Sequence, residues 1–425
     1  MIDDPNIQVV TNRYTQAWNQ QPDAEALQFM RQRSYAVDVI EPSLPIAGID
    51  SSDNILLQIP DLPGAGVAGY AFTLVVSDPN GQPRMVRERA VEHYDDPHRH
   101  EDLLIEILYE IPTPEERRIL SYADYQWRTL MSGPSGRIPY LDEHPLFKLR
   151  IAAARARDLT ERRATRIFLN QDDVRVPILL KDGRLSSQNC STRYTDDLAR
   201  LFVRRNVRWV GVVKQGSALW DVLRPYHRAL STSRRGRPYW AQIPPKLVWQ
   251  AYANDEQSQP KTLLLGARES QSLGGAGGLW VLYAPAPGVF YVLEFNVYDM
   301  EAFRPLVESG APLQRADVSC GRPLPLHVVR ERSDGTYDGA LTAASARDFE
   351  VLVAPTVAEI HHYATVSSLT LNYPIVLADA HNRCKITRER KERKNWELKA
   401  EFMRRGYHPV DFAEFEEDPH KLFER

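Results

Sequence analysis

The sequence predicts an α/β protein, and three observations carry that prediction. Val176–Leu180 and Val207–Val213 are short apolar runs, with a polar helical segment at about Thr195–Arg205 between them. This is a strand, helix, strand unit, in which a buried strand feeds a crossover helix and then a second buried strand. Short apolar runs broken by Gly, Pro, Asp and Asn also recur at Ile46–Ile49, Ile55–Ile59 and Ala68–Val76, the texture of successive strands. A third group of such runs lies at Thr262–Leu265, Leu279–Tyr283 and Val289–Val297.

The remaining elements follow in chain order. Residues 1–45 form a helical lead, with Tyr14, Ala17, Trp18, Ala24, Leu27, Phe29 and Met30 at helical spacing. Asp78-Pro79-Asn80-Gly81 is a strong turn signal after the second strand group. Residues 101–131 read as helical, with Leu103, Leu104, Ile107 and Leu108 on one side and a break at Ile111-Pro112-Thr113-Pro114. A Gly/Pro-rich loop at 132–139 leads into a helix from Leu146 to Leu169, whose Ala- and Arg-rich composition favours that state. Near the end, Ala354–Thr370 is helical, and Asn372-Tyr373-Pro374 introduces a last helix carrying His381.

Composition narrows the function. With 425 residues, 43% apolar and 26% charged, the chain is long enough for one large domain or two ordinary ones. Cys190, Cys320 and Cys384 lie far apart with no Cys-x-x-Cys pair, which argues against a disulfide framework or a structural zinc site. No run of 18 apolar residues occurs, and Met-Ile-Asp-Asp-Pro lacks the basic start and apolar run of a leader, so a cytoplasmic, non-membrane protein is expected. A net charge of −3 excludes a basic coat for nucleic acid. Any such binding must use local patches, of which Arg150–Arg166, Arg234–Arg237 and Lys385–Lys394 are candidates. There is no Gly-x-Ser-x-Gly elbow and no P-loop, and Gly274–Gly278 is followed by a strand rather than a helix.

The candidate chemistry is acidic. Asp50 and Asp182 each follow an apolar run, a position where a carboxylate emerges at the carboxyl end of a strand. Such an Asp is more often a turn former than a ligand, so each gains weight only from the other and from a third acid. Ala154, Glu161, Ala164 and Phe168 share one side of the preceding helix, which puts Glu161 in a mainly apolar stripe. There it must snorkel, pair with a neighbouring Arg such as Arg157, or face a metal. Three carboxylates on strand, helix and strand suit two divalent cations about 3.5 to 4 Å apart that activate water for phosphodiester cleavage. Oxygen ligands favour magnesium or manganese over zinc. Tyr373 and His381, eight residues apart, fall about two turns apart on roughly one helix face, the Tyr suited to orient a phosphate and the His to ligate or carry a proton. Lys214, at the end of its strand, can meet a phosphate or a carboxylate. Arg157, Arg162 and Arg163 can supply phosphate contacts.

Taken together, Lys181-Asp182-Gly183-Arg184-Leu185-Ser186, then Trp209-Val210-Gly211-Val212-Val213-Lys214 beginning 27 residues after Asp182, then Tyr373 to His381, resemble the NurA nuclease family. The family's first signature, Asp-Gly-Ser at a strand end, is similar to Ile49-Asp50-Ser51-Ser52 with the glycine replaced. The resemblance covers 46–76, 150–215 and 370–385 best, with 80–145 and 220–360 looking inserted or divergent. It implies a ribonuclease-H-like core with a mixed central sheet flanked by helices, plus inserted helical and β segments, spanning 46–385 between the lead and a charged helical tail at 386–425. It further implies manganese-dependent (or magnesium-dependent) cleavage of single- and double-stranded DNA with two ions. The implied partners are a second copy of the chain and a HerA-type hexameric ATPase. The family's site residues fall on Asp50, Glu161, Asp182, Tyr373 and His381, with Asp158 the alternative helix acid. A catalytically silent subunit that clamps DNA or docks on the ATPase is the competing expectation, favoured by Ser51.

Overall fold

The computed structural model describes residues 21–58, 66–88, 104–108, 145–171, 175–185, 192–214, 218–244, 247, 279–309, 330–331, 337–338, 346–367, 370 and 372–406. The expected strand at Thr262–Leu265, the loop at 132–139 and the first part of the helical lead lie outside these residues. A ten-stranded mixed sheet organises the chain. Its strands are β1 (Ser34–Ala36), β2 (Ile46–Gln58), β3 (Gly66–Ser77), β4 (Pro83–Glu88), β5 (Leu104–Leu108), β6 (Ile178–Asp182), β7 (Arg208–Val213), β8 (Tyr239–Gln242), β9 (Leu279–Ala286) and β10 (Val289–Phe295). The order across the sheet is β1-β8-β9-β10-β7-β6-β2-β3-β4, with β5 also paired to β3. Only β2/β6 and β6/β7 are parallel; the other pairs are antiparallel.

The helices are α1 (Ala24–Gln32), α2 (Pro145–Asn170), α3 (Thr192–Arg204), α4 (Ala218–Ser233), α5 (Arg304–Ser309), α6 (Ala354–Thr365), α7 (Ile375–Cys384) and α8 (Arg388–Arg404). The β6, α3, β7 unit follows the expected crossover, and β6 and β7 are buried on both faces, as central parallel strands must be. Among the described residues no helix is long and apolar enough to cross a membrane.

Four expectations change. The lead is not purely helical, because β1 follows α1 and pairs with β8. Residues 104–108, expected in a helix, form β5: alternation in a Leu-Ile-Glu-Ile-Leu run satisfies a strand as well as a helix, and the open edge of β3 selects the strand. The region 220–360, which looked inserted, contributes β8, β9 and β10 to the main sheet, with β10 hydrogen-bonded to β7. Finally, β2 does not stop at Asp50. It runs on through Ser51-Ser52-Asp53-Asn54 because β3 pairs with it over its full length, satisfying the backbone of these polar residues. The helix carrying His381 is followed by α8, which covers part of the charged segment from 385.

Candidate metal centre

Two registers bring the acids together. β2 and β6 pair in parallel with Ile49 opposite Lys181, so the next residues, Asp50 and Asp182, lie side by side on one face of the sheet. The pairing ends there, and Asp50, although mid-strand, stands at the carboxyl edge of the parallel part. Gly183, with φ of 87°, turns the chain away directly after Asp182 and donates its N–H to the Val212 carbonyl; that dihedral suits glycine.

Helix α7 closes the site from above. It lies so near β2 that a Cβ on Gly48 would fall 2.8 Å from Val376 Cγ2. This approach lowers His381, two turns along α7, onto the acids. Its Nδ1 is 2.8 Å from Asp50 Oδ2 and 4.0 Å from Asp182 Oδ2. Asp50, Asp182 and His381 offer ligand atoms that all lie within 4.8 Å of one another. Lys214 Nζ is 2.6 Å from Asp182 Oδ2 and 5.2 Å from the centre of the Tyr373 ring. Tyr373 precedes α7 and packs against Tyr291, the two rings tilted by 50° with centroids 5.3 Å apart. Its hydroxyl is buried without a well-formed hydrogen bond among the described residues, and of the nearby charges Asp182 acts on it most strongly.

The electrostatics are those of a crowded anionic site. Burial, then the Asp182 and Glu161 carboxylates, push the Asp50 carboxyl up to about 6, against the stabilising bonds from His381 and the Ser51 N–H. Burial and then Asp182 and Asp50 hold the Tyr373 phenol well above its usual range, so it is a hydrogen-bond donor at neutral pH. The Cys384 thiol is also pushed up, by burial and then by Asp50, and is unreactive as a thiolate.

The opposite face of the sheet carries the other half of the predicted site. Ser51 and Asp53 alternate away from Asp50 and meet α2 instead. The Ser51 hydroxyl donates to Glu161 Oε2, and Arg157 Nη1 is 2.6 Å from Asp53 Oδ1. Glu161 neither snorkels nor pairs with Arg157: Lys181 Nζ holds it at 2.6 Å. Burial works against the Lys181 ammonium, but the Glu161 and Asp158 carboxylates outweigh it and raise its pKa. Asp158, the alternative helix acid, is paired with Arg157 at 3.0 Å.

Lys181 and Ser51 carry no site role in the sequence reading; strand alternation beside Asp182 and Asp50 is the signal that could have put them on the α2 face. Arg162 is a correction. It was expected at the DNA, but it is 1% exposed, donates to the Leu185 carbonyl at 2.6 Å and lies over the Trp209 ring, so it cannot reach a phosphate. Arg157 is occupied by its two aspartates, and Arg163 is half-buried on α2.

No family model matches the chain, and no curated protein does. Among solved structures, the chain is similar to one from Sulfolobus solfataricus. That structure is a NurA nuclease. The two are 12% identical, the match covers 96% of this chain and 99% of the other, and the TM-score is 0.40. NurA is also the family that the motifs around Asp182, Lys214 and His381 resemble. At this identity and score the likeness carries no chemistry across, and the reading of the centre rests on the distances above.

The donor set fits a divalent cation. Two carboxylates and an imidazole converge from two strands and a helix, and burial together with the neighbouring carboxylates raises the Asp50 carboxyl above its usual range.

Proposed function

We propose that the chain is a metal-dependent DNA nuclease that hydrolyses phosphodiester bonds at Asp50, Asp182 and His381. The single observation that carries this reading is the convergence of those three ligand atoms within 4.8 Å at the carboxyl edge of the parallel strands. Asp50, Asp182 and His381 would hold manganese or magnesium, and a divalent ion there supplies an activated water and charge to stabilise the leaving oxygen. A second ion is implied by the resemblance, but Glu161, the expected third acid, lies on the opposite face of the sheet and is held there by Lys181.

The chain's own residues then do the following. Lys214, bonded to Asp182, presents a cation at the mouth of the centre where a non-bridging phosphate oxygen would sit. The Tyr373 hydroxyl, kept protonated, donates to the phosphate or to the water that attacks it. Ser51 N–H fixes the Asp50 carboxylate at 2.7 Å, and Glu161 with Lys181 anchors both strands from behind, since Lys181 Nζ also donates to the Asp182 carbonyl.

The resemblance supports the finer parts of the reading. These are a ribonuclease-H-like core, single- and double-stranded DNA as substrate, a homodimer, a HerA-type hexameric ATPase partner and a cytoplasmic setting. DNA end processing and defence against phage both suit such an activity. The competing silent-subunit reading drew on Ser51, yet Ser51 is used twice here, to bond Asp50 and Glu161. Cleavage of linear DNA with manganese tests the proposal. Wild type should cut, and Asp50→Ala and Asp182→Ala should not. Wild-type protein that cuts nothing with its ATPase partner present, or Asp182→Ala that cuts normally, contradicts it.

A further inference from the structure

We propose that α8 is a binding surface for single-stranded nucleic acid, on which Trp396 stacks a base while Arg393 and Lys399 hold the flanking phosphates. The inference rests on the nuclease reading for the kind of polymer, and on α8 for the surface.

One face of α8 is fastened to the sheet. Leu398 and Phe402, with Ile386 before the helix, pack on Leu56, Leu57, Val67, Ala71 and Cys384. The Asn395 side chain donates to the Leu56 carbonyl, and the Ser52 hydroxyl donates to the Cys384 carbonyl. These contacts set the direction. The chain leaves α7 over Ser52 and reaches Leu56 at Asn395, so α8 extends along β2 away from Asp50, on the flank that holds the acids. Six residues of strand separate Asp50 from Leu56, about 20 Å.

The outward face is basic and aromatic. Arg393, Trp396 and Lys399 follow one another at single-turn spacing, with Lys399 Nζ 5.7 Å from the indole centre. Trp396 is 68% exposed, whereas Trp209, Trp240 and Trp280 are buried. An indole left in water forgoes a large burial gain and is the natural platform for a planar partner. α8 holds seven Lys and Arg against four Glu in a chain whose net charge is −3. Two of those acids beside the indole are already taken, Glu392 by Arg388 at 2.6 Å and Glu397 by Lys394 at 2.7 Å. A flat ring between cations, about 20 Å along the sheet from an acidic centre, matches the combination of base stacking and backbone neutralisation that single strands use. Trp396, Ala400 and Met403 make too narrow an apolar stripe, among too many charges, for a protein helix to bury against.

The test uses the full chain with a chelator present, titrated into a fluorescein-labelled oligothymidylate of about 20 nucleotides and followed by anisotropy. Trp396→Ala should weaken binding about 5- to 100-fold, and Trp396→Phe should retain most of it. Arg393→Gln with Lys399→Gln should lower the logarithmic salt slope by about 0.7 per lost contact. Unchanged affinity in Trp396→Ala overturns the inference, as does a wild-type chain that fails to bind the oligonucleotide. A fall in oligomer mass in Trp396→Ala with unchanged affinity assigns the indole to a contact between copies, and overturns it too. Manganese-dependent cleavage of linear duplex by wild type, run in parallel, separates the two readings. If wild type cuts nothing while Trp396→Ala loses single-strand binding, the nuclease reading fails and this one stands; if wild type cuts while the variant binds as well as it does, this one fails alone.

Discussion

On one face of β2, Asp50 meets Asp182 and His381 beneath α7; on the other, Asp53 and Glu161 meet Arg157 and Lys181 beneath α2. Both groups are rich in acids, and Asp50 and Asp53 face opposite ways from the same strand. On the α2 face each acid is paired with a cation, Asp53 and Asp158 with Arg157 and Glu161 with Lys181, which makes it a fastening. On the α7 face burial, and then the Asp182 and Glu161 carboxylates, push the Asp50 carboxyl up to about 6 despite its bonds from His381 and the Ser51 N–H. Unrelieved repulsion among partly exposed ligand atoms is the mark of a place built to receive a cation rather than to stabilise the fold.

The two faces should therefore respond to mutation in opposite currencies. The largest expected effect is at the α7 face: Asp182→Ala should reduce manganese-dependent DNA cleavage at least about 100-fold, while its thermal midpoint in chelator stays level or rises. A clear loss of midpoint with retained cleavage would show that the faces have been assigned the wrong way round. At the α2 face, Lys181→Met strands a buried Glu161 and should destabilise the chain by about 3 to 5 kcal/mol in urea denaturation. Adding Glu161→Met should recover most of that loss; if the double variant is as unstable as the single one, Lys181 acts on something other than Glu161.

Between the faces stands Gly48, whose only task is to let α7 approach. Gly48→Ala should cost about 1 to 3 kcal/mol and lift His381 from Asp50, lowering metal affinity along with stability. Intact metal affinity in that variant would free His381 from dependence on this contact. The smallest effect is in pH. The folded Asp50 carboxyl titrates at about 6 and its ordinary value is 3.8, so between these values the folded state holds the extra proton. The contribution of this group to metal-free stability therefore falls as pH rises from about 4 to about 6 and is flat above both values. Asp50→Asn should remove that slope from thermal midpoints measured across the range, and an unchanged slope would assign it to another group.

Much of this was legible in the sequence where local pattern and tertiary fate agree. The β6, α3, β7 unit and the long helix α2 were readable because apolar runs and helix-forming composition decide them locally. Asp182 was readable because a real strand end and a glycine turn follow it. Asp50 was found for a partly wrong reason: Ser51 to Asn54 look like a turn, and only pairing with β3, set by residues 66–77, turns them into strand. Glu161 was placed in its apolar stripe correctly, but its partner came from the next strand rather than from its own helix, a contact that helical spacing cannot reveal. Arg162 failed for the converse reason, since nothing in an Arg-rich helix marks which arginine turns inward under Trp209.

The central claim is that Asp50, Asp182 and His381 together hold a divalent cation, and direct manganese binding by calorimetry tests it without reference to cleavage. The wild-type chain should bind at a pH above 6, and Asp50→Asn, Asp182→Asn and His381→Ala should each weaken binding by about 10-fold or more, while Arg157→Gln on the opposite face should bind as wild type does. Equal manganese affinity in wild type and Asp182→Asn would contradict it.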